Sequence, residues 1–300
     1  MKEYKSGFVT IIGKTNVGKS TLLNSLVSEK VAAIAPKPQT TRTVIKAIVN
    51  RESSQIIFID TPGIHKPKNK LGEVMLDTTF DAIKEVDIIL FIIEATNKQI
   101  DKGDQIILDK LKDINKKTIL IINKIDLIKK EEMLKLIKIY SDEYSFSSVI
   151  PMCATKNKGV ETLLLEIEKL LPIGPAYYDK EQYTDQTIKQ LIEEIVREKA
   201  LILLQDEVPH GLYVEVEKVK KKKTIKKENI FDIDCIIYCI RDSHKGIIIG
   251  KNGQMLKRIG RYARIELENM LNEKVNLNIW VKVDKNWQEK DSVVKKFKPN

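Results

Sequence analysis

The 300 residues are 42% hydrophobic and 31% charged, which excludes a disordered chain and gives room for two ordinary domains. No apolar run approaches the roughly 18 residues of a membrane helix, and Met1-Lys2-Glu3-Tyr4-Lys5 carries no signal-peptide pattern, so a soluble intracellular protein is expected. The net charge of +10 admits an anionic partner, but residues 180–300 hold 25 Lys and Arg against 19 Asp and Glu, too even a spread to argue nucleic-acid binding without a site.

The first element is the apolar strand Phe8-Val9-Thr10-Ile11-Ile12, followed by Gly13-Lys14-Thr15-Asn16-Val17-Gly18-Lys19-Ser20. A glycine, four residues and Gly-Lys-Ser make a phosphate-binding loop when a helix follows, as the stretch from Thr21 predicts. Gly13 and Gly18 let the backbone approach a ligand, and the loop N–H groups face its phosphates. Lys19 reaches the β- and γ-phosphates, and the Ser20 hydroxyl binds Mg²⁺.

Strands are predicted over 44–50, 55–60, 87–93, 118–122 and 148–152, and helices over 72–85, 100–111, 131–140 and 160–171. Such alternation predicts an α/β domain with a mostly parallel, doubly wound sheet, its ligands beyond the carboxyl ends of the strands. Three further loops fall there. Asp60-Thr61-Pro62-Gly63 offers a water-mediated Mg²⁺ ligand in Asp60 and a γ-phosphate donor in the Gly63 N–H. Asn123-Lys124-Ile125-Asp126 supplies a carboxylate that accepts two hydrogen bonds from guanine, where adenine has no matching donor pair. Asn123 steadies this loop and the Lys124 stem covers the base. Backbone N–H groups of Cys153-Ala154-Thr155 reach the guanine O6. Between the first helix and the next strand, Gln39-Thr40-Thr41-Arg42-Thr43 holds a threonine that completes the Mg²⁺ shell only with the γ-phosphate present; Thr41 is the first choice and Thr40 the second.

Pro172-Ile173-Gly174-Pro175 ends the helical pattern, giving domains at 1–174 and 187–300 joined by a linker at 175–186. The second domain reads as helix 186–204 capped by Thr184 or Asp185, strands 212–219 and 230–240, helix 254–271 and strand 275–283, a small α+β unit. Residues 220–227, nearly all lysine, read as a solvated hairpin tip. Cys235 and Cys239 lie an even number apart in one strand and are expected to pack as small hydrophobes. Gly250-Lys251-Asn252-Gly253, entered by Gly246 and Ile249 and left by Lys257 and Arg258, is a GXXG loop of the kind that clamps a nucleic-acid backbone.

Asn16-Val17-Gly18-Lys19-Ser20, Gln39-Thr40-Thr41-Arg42 and the ordered loops resemble the TrmE–Era–EngA branch of translation-factor-class GTPases. Asp206-Glu207-Val208-Pro209-His210, His244-Lys245-Gly246 and Lys285-Asn286-Trp287 narrow the resemblance to the Era family, with its type II KH domain. Cys153 departs from the serine usual in the family. The resemblance implies GTP hydrolysis, Mg²⁺, and a KH domain on the 3′ region of small-subunit ribosomal RNA that assists small-subunit assembly. It further implies a monomer and loose contact with the inner membrane face. Ile64 stands where Ras-type enzymes place a water-orienting glutamine, so slow intrinsic hydrolysis is expected. Related enzymes use an asparagine at the position of Asn16 to hold K⁺ beside the phosphates. The catalytic set is therefore Lys19, Thr41, Gly63 and Asn16. Two other readings stand beside this one: a non-enzymatic RNA-binding scaffold stabilised by nucleotide, and a branch member acting on tRNA or the large subunit.

Overall fold

The structure, a computed structural model, describes residues 3–27, 31–34, 45–62, 69–223 and 229–297. The first unit is built from β1 (Lys5–Ile12), α1 (Lys19–Val27), β2 (Ile45–Asn50), β3 (Ser54–Asp60), α2 (Lys70–Glu85), β4 (Ile88–Glu94), α3 (Lys102–Ile114), β5 (Lys117–Asn123), α4 (Lys130–Glu143), β6 (Ser148–Pro151) and α5 (Val160–Leu170). Its six-stranded sheet runs in the order β2-β3-β1-β4-β5-β6. All neighbours are parallel except β2 and β3.

The strands are apolar throughout because both sheet faces are covered. Alternation then sorts each strand between two cores. Val9, Ile11, Leu90, Ile92 and Ile121 pack with α1 and α5, whereas Ile12, Phe91, Ile93 and Ile122 pack with α3 and α4. Each side chain fully withdrawn from water contributes about 1.5–3 kcal/mol, so these strands hold the loops at their carboxyl ends on a rigid edge. Helix α3 starts at Asp101, whose side chain accepts from the N–H groups of Gly103 and Asp104, and ends where Asn115 turns left-handed (φ 50°).

Residues 175–185 run along the sheet edge rather than free of it. Ile48 N donates to the Tyr183 carbonyl at 2.9 Å, Thr184 Oγ1 to the Lys46 carbonyl at 2.8 Å, and Lys46 pairs with Asp185 at 3.5 Å. Neither Thr184 nor Asp185 therefore caps the next helix. Thr187 does: its Oγ1 accepts from Gln190 N at 3.3 Å and Gln190 Oε1 accepts from Thr187 N at 2.8 Å, a reciprocal capping box.

The second unit holds α6 (Ile188–Leu203), β7 (Leu212–Lys223), β8 (Asn229–Cys239), α7 (Asp242–Ile249), α8 (Gln254–Leu271) and β9 (Lys274–Val283). Its sheet is β7-β8-β9, antiparallel then parallel. Cys235 and Cys239 are fully buried in the core among Ile192, Val196, Ile259 and Leu267; burial pushes the Cys235 thiol up to about 12. Strand β7 is longer than expected. Lys220 to Lys223 are ladder residues, and Lys218 and Lys222 both reach Asp232 on β8, at 2.9 and 2.7 Å. Opposite charges across the ladder let so cationic a strand form; residues 224–228 lie outside the described residues. Trp287 is structural: it is fully buried, packs tilted against Tyr213 with ring centroids 4.8 Å apart and donates its indole N–H to the Gly211 carbonyl at 3.0 Å. His210 belongs to the same support, its carbonyl accepting from Gln288 at 3.1 Å. Among the described residues no helix is long and apolar enough to cross a membrane.

Candidate nucleotide and RNA sites

Parallel pairing of β1 with β3 sets Ile11 opposite Asp60, so the end of β3 reaches the start of the phosphate loop. Thr61 Oγ1 closes the junction by donating to the Ile11 carbonyl at 3.1 Å. Both glycines are required. A Cβ on Gly13 would stand 2.4 Å from the Ile92 carbonyl oxygen, and one on Gly18 (φ 106°) 2.3 Å from Asn123 Nδ2. Asn16 (φ 67°) is left-handed and exposed. Val17 is buried in the core, anchoring the loop, and Thr15 and Thr21 are half-buried beside it.

Lys19 opens α1 and is only 7% exposed. Its Nζ donates to the carbonyls of Gly13 (3.1 Å) and Lys14 (2.7 Å), curled over the loop. Burial lowers its pKa to about 8, against the pull of Asp60. An ammonium so desolvated gains strongly from an arriving anion. Ser20 Oγ donates to Asp60 Oδ2 at 3.2 Å, which sets a hydroxyl and a carboxylate oxygen side by side.

The guanine loop is tied to the phosphate loop by side chains. Asn123 Nδ2 donates to the Val17 carbonyl at 2.9 Å, while its Oδ1 accepts from Ala154 N at 3.1 Å. One residue therefore joins all three loops. Lys124 is left-handed (φ 64°), and its Nζ donates to the Asn16 carbonyl at 3.0 Å and to Glu94 at 2.6 Å. Its tip is thereby pinned at both partners. Asp126 lies in the turn Ile125–Leu127, its carboxylate held below the usual range by hydrogen bonding from Cys153 and Lys156. It is thus ionised and accepting. Lys156, 3.0 Å away, is 65% exposed, a solvated partner whose pairing contributes little. Cys153 Sγ sits 3.3 Å from Thr155 Oγ1, and the main chain of Cys153 pairs with Lys158, so the backbone carries this loop.

The Lys14 side chain turns away from the phosphates to Asp101 and Asp104 on α3, leaving only its main chain to the loop. Glu94, Asp101, Asp104 and Lys156 were missed in sequence because each acts through a partner distant in the chain. Gln39, Thr40, Thr41, Arg42, Thr43, Gly63 and Ile64 lie outside the described residues, and Pro62 closes the described part of its loop.

In the second unit α7 ends at Gly250 (φ 71°), where a Cβ would stand 2.7 Å from that of Met255. Asn252 (φ 51°) and Gly253 (φ 74°) are also left-handed, and α8 leaves from Gly253. Nothing lies within 4 Å of a Cβ position on Gly253 or Gly246, so backbone is open to a ligand there. A groove of about 580 Å³ runs from Gly253 along Leu256, Lys257, Arg261 and Arg264 to Asn276 on β9. Lys251 and Arg258 are exposed beside the loop. Ile249 instead packs half-buried on the core, whereas Ile247 is 50% exposed. Arg261 and Arg264 join the candidate set through the helical period that aligns them with Lys257.

A family model described as a 50S ribosome-binding GTPase matches residues 8–124, and a KH-domain model matches residues 207–288. The GTPase Era of Caldanaerobacter subterraneus subsp. tengcongensis is 50% identical over 294 residues, covering 98% of this chain and 97% of its own. That of Clostridioides difficile is 48% identical over 295 residues, 98% of each. A crystal structure of Era with MgGDPNP and nucleotides 1506–1542 of 16S ribosomal RNA superposes with a TM-score of 0.93 at 39% identity, covering 98% of both chains. A single-substitution variant of Aquifex aeolicus Era bound to GDP and AlF4⁻ gives 0.92 at 39% identity with the same coverage. With a phosphate loop tied to a second strand-end loop, a KH unit C-terminal to it in the chain and relatives of about 50% identity over 98% of its length, the chain belongs to the Era family of GTPases.

Proposed function

We propose that this GTPase is a switch whose KH groove grips the 3′ region of small-subunit ribosomal RNA and which assists assembly of the small ribosomal subunit. The carrying observation is that one chain joins the Lys19–Ser20–Asp60 cluster to an open groove lined by Lys257, Arg261 and Arg264. A relative of the same architecture holds MgGDPNP and 16S ribosomal RNA together. Residues 1–174 serve as the GTPase domain, 175–186 as linker and 187–300 as the RNA-binding domain.

The residues present fit magnesium. Ser20 and Asp60 bring a hydroxyl and a carboxylate oxygen together, the hard oxygen donors that magnesium takes. Ser20 would hold the ion directly, with Asp60 acting through water and Thr41 completing the set; when bound, it would supply positive charge beside the phosphates. Lys19 orients the phosphates, and the Gly63 N–H senses the γ-phosphate. Ile64 offers no hydrogen bond to water, so hydrolysis leans on charge beside the phosphates. Asn16, exposed in the loop, is the candidate K⁺ ligand. The protein works as a cytoplasmic monomer, with the inner membrane face as a secondary location.

The test measures affinity for an oligonucleotide of the 3′-terminal small-subunit sequence with GDP and with a non-hydrolysable GTP analogue, and GTP turnover in K⁺ and Na⁺ buffers. At least fivefold tighter RNA binding with the analogue is expected, with faster turnover in K⁺. Equal RNA affinities would end the coupling, since a ligand without differential affinity shifts no equilibrium. Equal rates in the two buffers would remove potassium from Asn16. No turnover under any condition would leave an RNA-binding scaffold.

A further inference from the structure

A carboxylate buried behind the phosphate loop takes no part in the chemistry above. Asp104, on the first turn of α3, is 0% exposed. Its Oδ2 accepts from Lys14 Nζ at 2.9 Å and from the Tyr140 hydroxyl at 2.9 Å, while Oδ1 has no hydrogen-bond partner among the described residues. Tyr140, on α4, is itself fully buried, its ring 6.2 Å from Phe91. Burying an ion pair between packed helices is costly, and an apolar side chain of similar size would commonly stabilise the fold as well or better. What a carboxylate supplies there, and an apolar group does not, is a fixed seat for the Lys14 ammonium.

Lys14 lies between Gly13 and Thr15, so its seat is a seat for the loop. Asp101 also holds it. Its stem lies flat on α3 at Gly103, where an added Cβ would stand 2.8 Å from Lys14 Cδ. The Lys14 carbonyl receives the Lys19 ammonium at 2.7 Å, and two residues on the Asn16 carbonyl receives Lys124 at 3.0 Å. The segment is thus gripped by α3 on one side and by the guanine loop on the other.

We propose that Asp104, supported by Tyr140, is a positioning residue that holds the phosphate loop, through Lys14, in its nucleotide-accepting bend. The proposal rests on the reading of Gly13 to Ser20 as the nucleotide site. Holding the loop ready lowers the ordering cost of binding and acts on affinity for GTP and GDP alike.

The experiment compares GDP affinity, turnover at saturating GTP and melting temperature for wild type, Lys14→Met, Asp104→Asn, their double variant and Gly103→Ala. Loss of a charged hydrogen bond predicts about tenfold weaker GDP binding in each of Lys14→Met and Asp104→Asn, and for Asp104→Asn, which lies outside the loop, turnover at saturation within about twofold of wild type. The double variant binds no more weakly than either single one, because both remove one interaction. Gly103→Ala removes no charge, but its Cβ would stand 2.8 Å from Lys14 Cδ and 3.2 Å from Asp101 Oδ1, so affinity falls as the Lys14 seat is displaced. Wild-type affinity in Lys14→Met or Gly103→Ala, or losses that add in the double variant, would overturn the proposal. So would a lower melting temperature at unchanged affinity in Asp104→Asn. If Asp104→Asn does not fold, the other two variants decide. Wild-type protein that binds no GDP would instead overturn the nucleotide reading.

Discussion

Around the phosphate loop the polar side chains are already engaged with the chain. Asn123 bridges Val17 and Ala154, Lys19 lies on two loop carbonyls, and Lys124 joins Asn16 to Glu94. Along α8 the opposite holds. Lys257, Arg258, Arg261 and Arg264 are exposed and make no ion pair with any described residue. The first region is built before its ligand arrives, and its selectivity comes from groups that have one correct partner. The second has neither fixed donors nor an enclosed volume; it offers cationic charge and open glycine backbone. One site is thus suited to telling one base from another, the other to holding a phosphate chain whose order and length vary.

The sharpest way to break this contrast is to change the acceptor that defines the first site. Asp126→Asn replaces a carboxylate by a group that both donates and accepts, so guanine's paired donors lose their match. GDP affinity should fall about a hundredfold or more, while xanthosine diphosphate, which carries an oxygen in place of the amino group, binds better than GDP. Competition binding with both nucleotides is the measurement. An unchanged preference for GDP would mean that the backbone of Cys153 to Thr155, not Asp126, selects the base.

The RNA groove should respond to salt instead. Arg261→Gln with Arg264→Gln removes two phosphate contacts, so affinity for single-stranded RNA drops about fivefold to tenfold at moderate salt. The slope of log affinity against log salt falls by about 1.4, at roughly 0.7 for each single-strand phosphate contact. Nucleotide affinity is unaffected. Loss confined to one RNA sequence, with an unchanged salt slope, would show base reading in the groove and blur the contrast.

The two regions also differed in how much of them the sequence disclosed. The loops at strand ends were visible because each needs particular residues at fixed local spacing: Gly13 and Gly18 for close approach, Asp60 and Asp126 just past an apolar run. The doubly wound sheet was visible because a strand covered on both faces is apolar at every position, as in residues 88–93. Hidden were partnerships between residues far apart in the chain. Nothing local marks Asp104 as the seat of Lys14, 90 positions earlier. Lys220 to Lys223 looked like a solvated tip since their counter-charges, Asp232 above all, lie on the facing strand. Thr187 was readable, as a threonine three residues before a glutamine, but Thr184 and Asp185 offered equally good caps until their bonds to β2 engaged them.

The smallest expected effect tests the idea that the first site is built in advance, because its preparation has a protonic cost. Burial holds the Lys19 ammonium near a pKa of about 8, below the ordinary 10.5. Since the folded value lies below the unfolded one, the fold favours neutral Lys19. The stability contributed by this group is full above 10.5 and is lost as pH falls through about 8. Nucleotide works in the other direction, because phosphate oxygens favour the charged form and return the pKa upward. Binding therefore takes up a proton once the free protein has begun to lose it. Between pH 7 and 8.5, GDP affinity should weaken about fourfold, with roughly three-quarters of a proton absorbed at the upper end. Calorimetry in buffers of different ionisation enthalpy reads that uptake directly. Lys19→Met abolishes both the uptake and the slope. In the wild type, nucleotide-free stability should gain from this lysine over the pH range in which affinity declines. A site assembled only by its ligand would leave Lys19 solvated and charged beforehand, and neither trend would appear below pH 9.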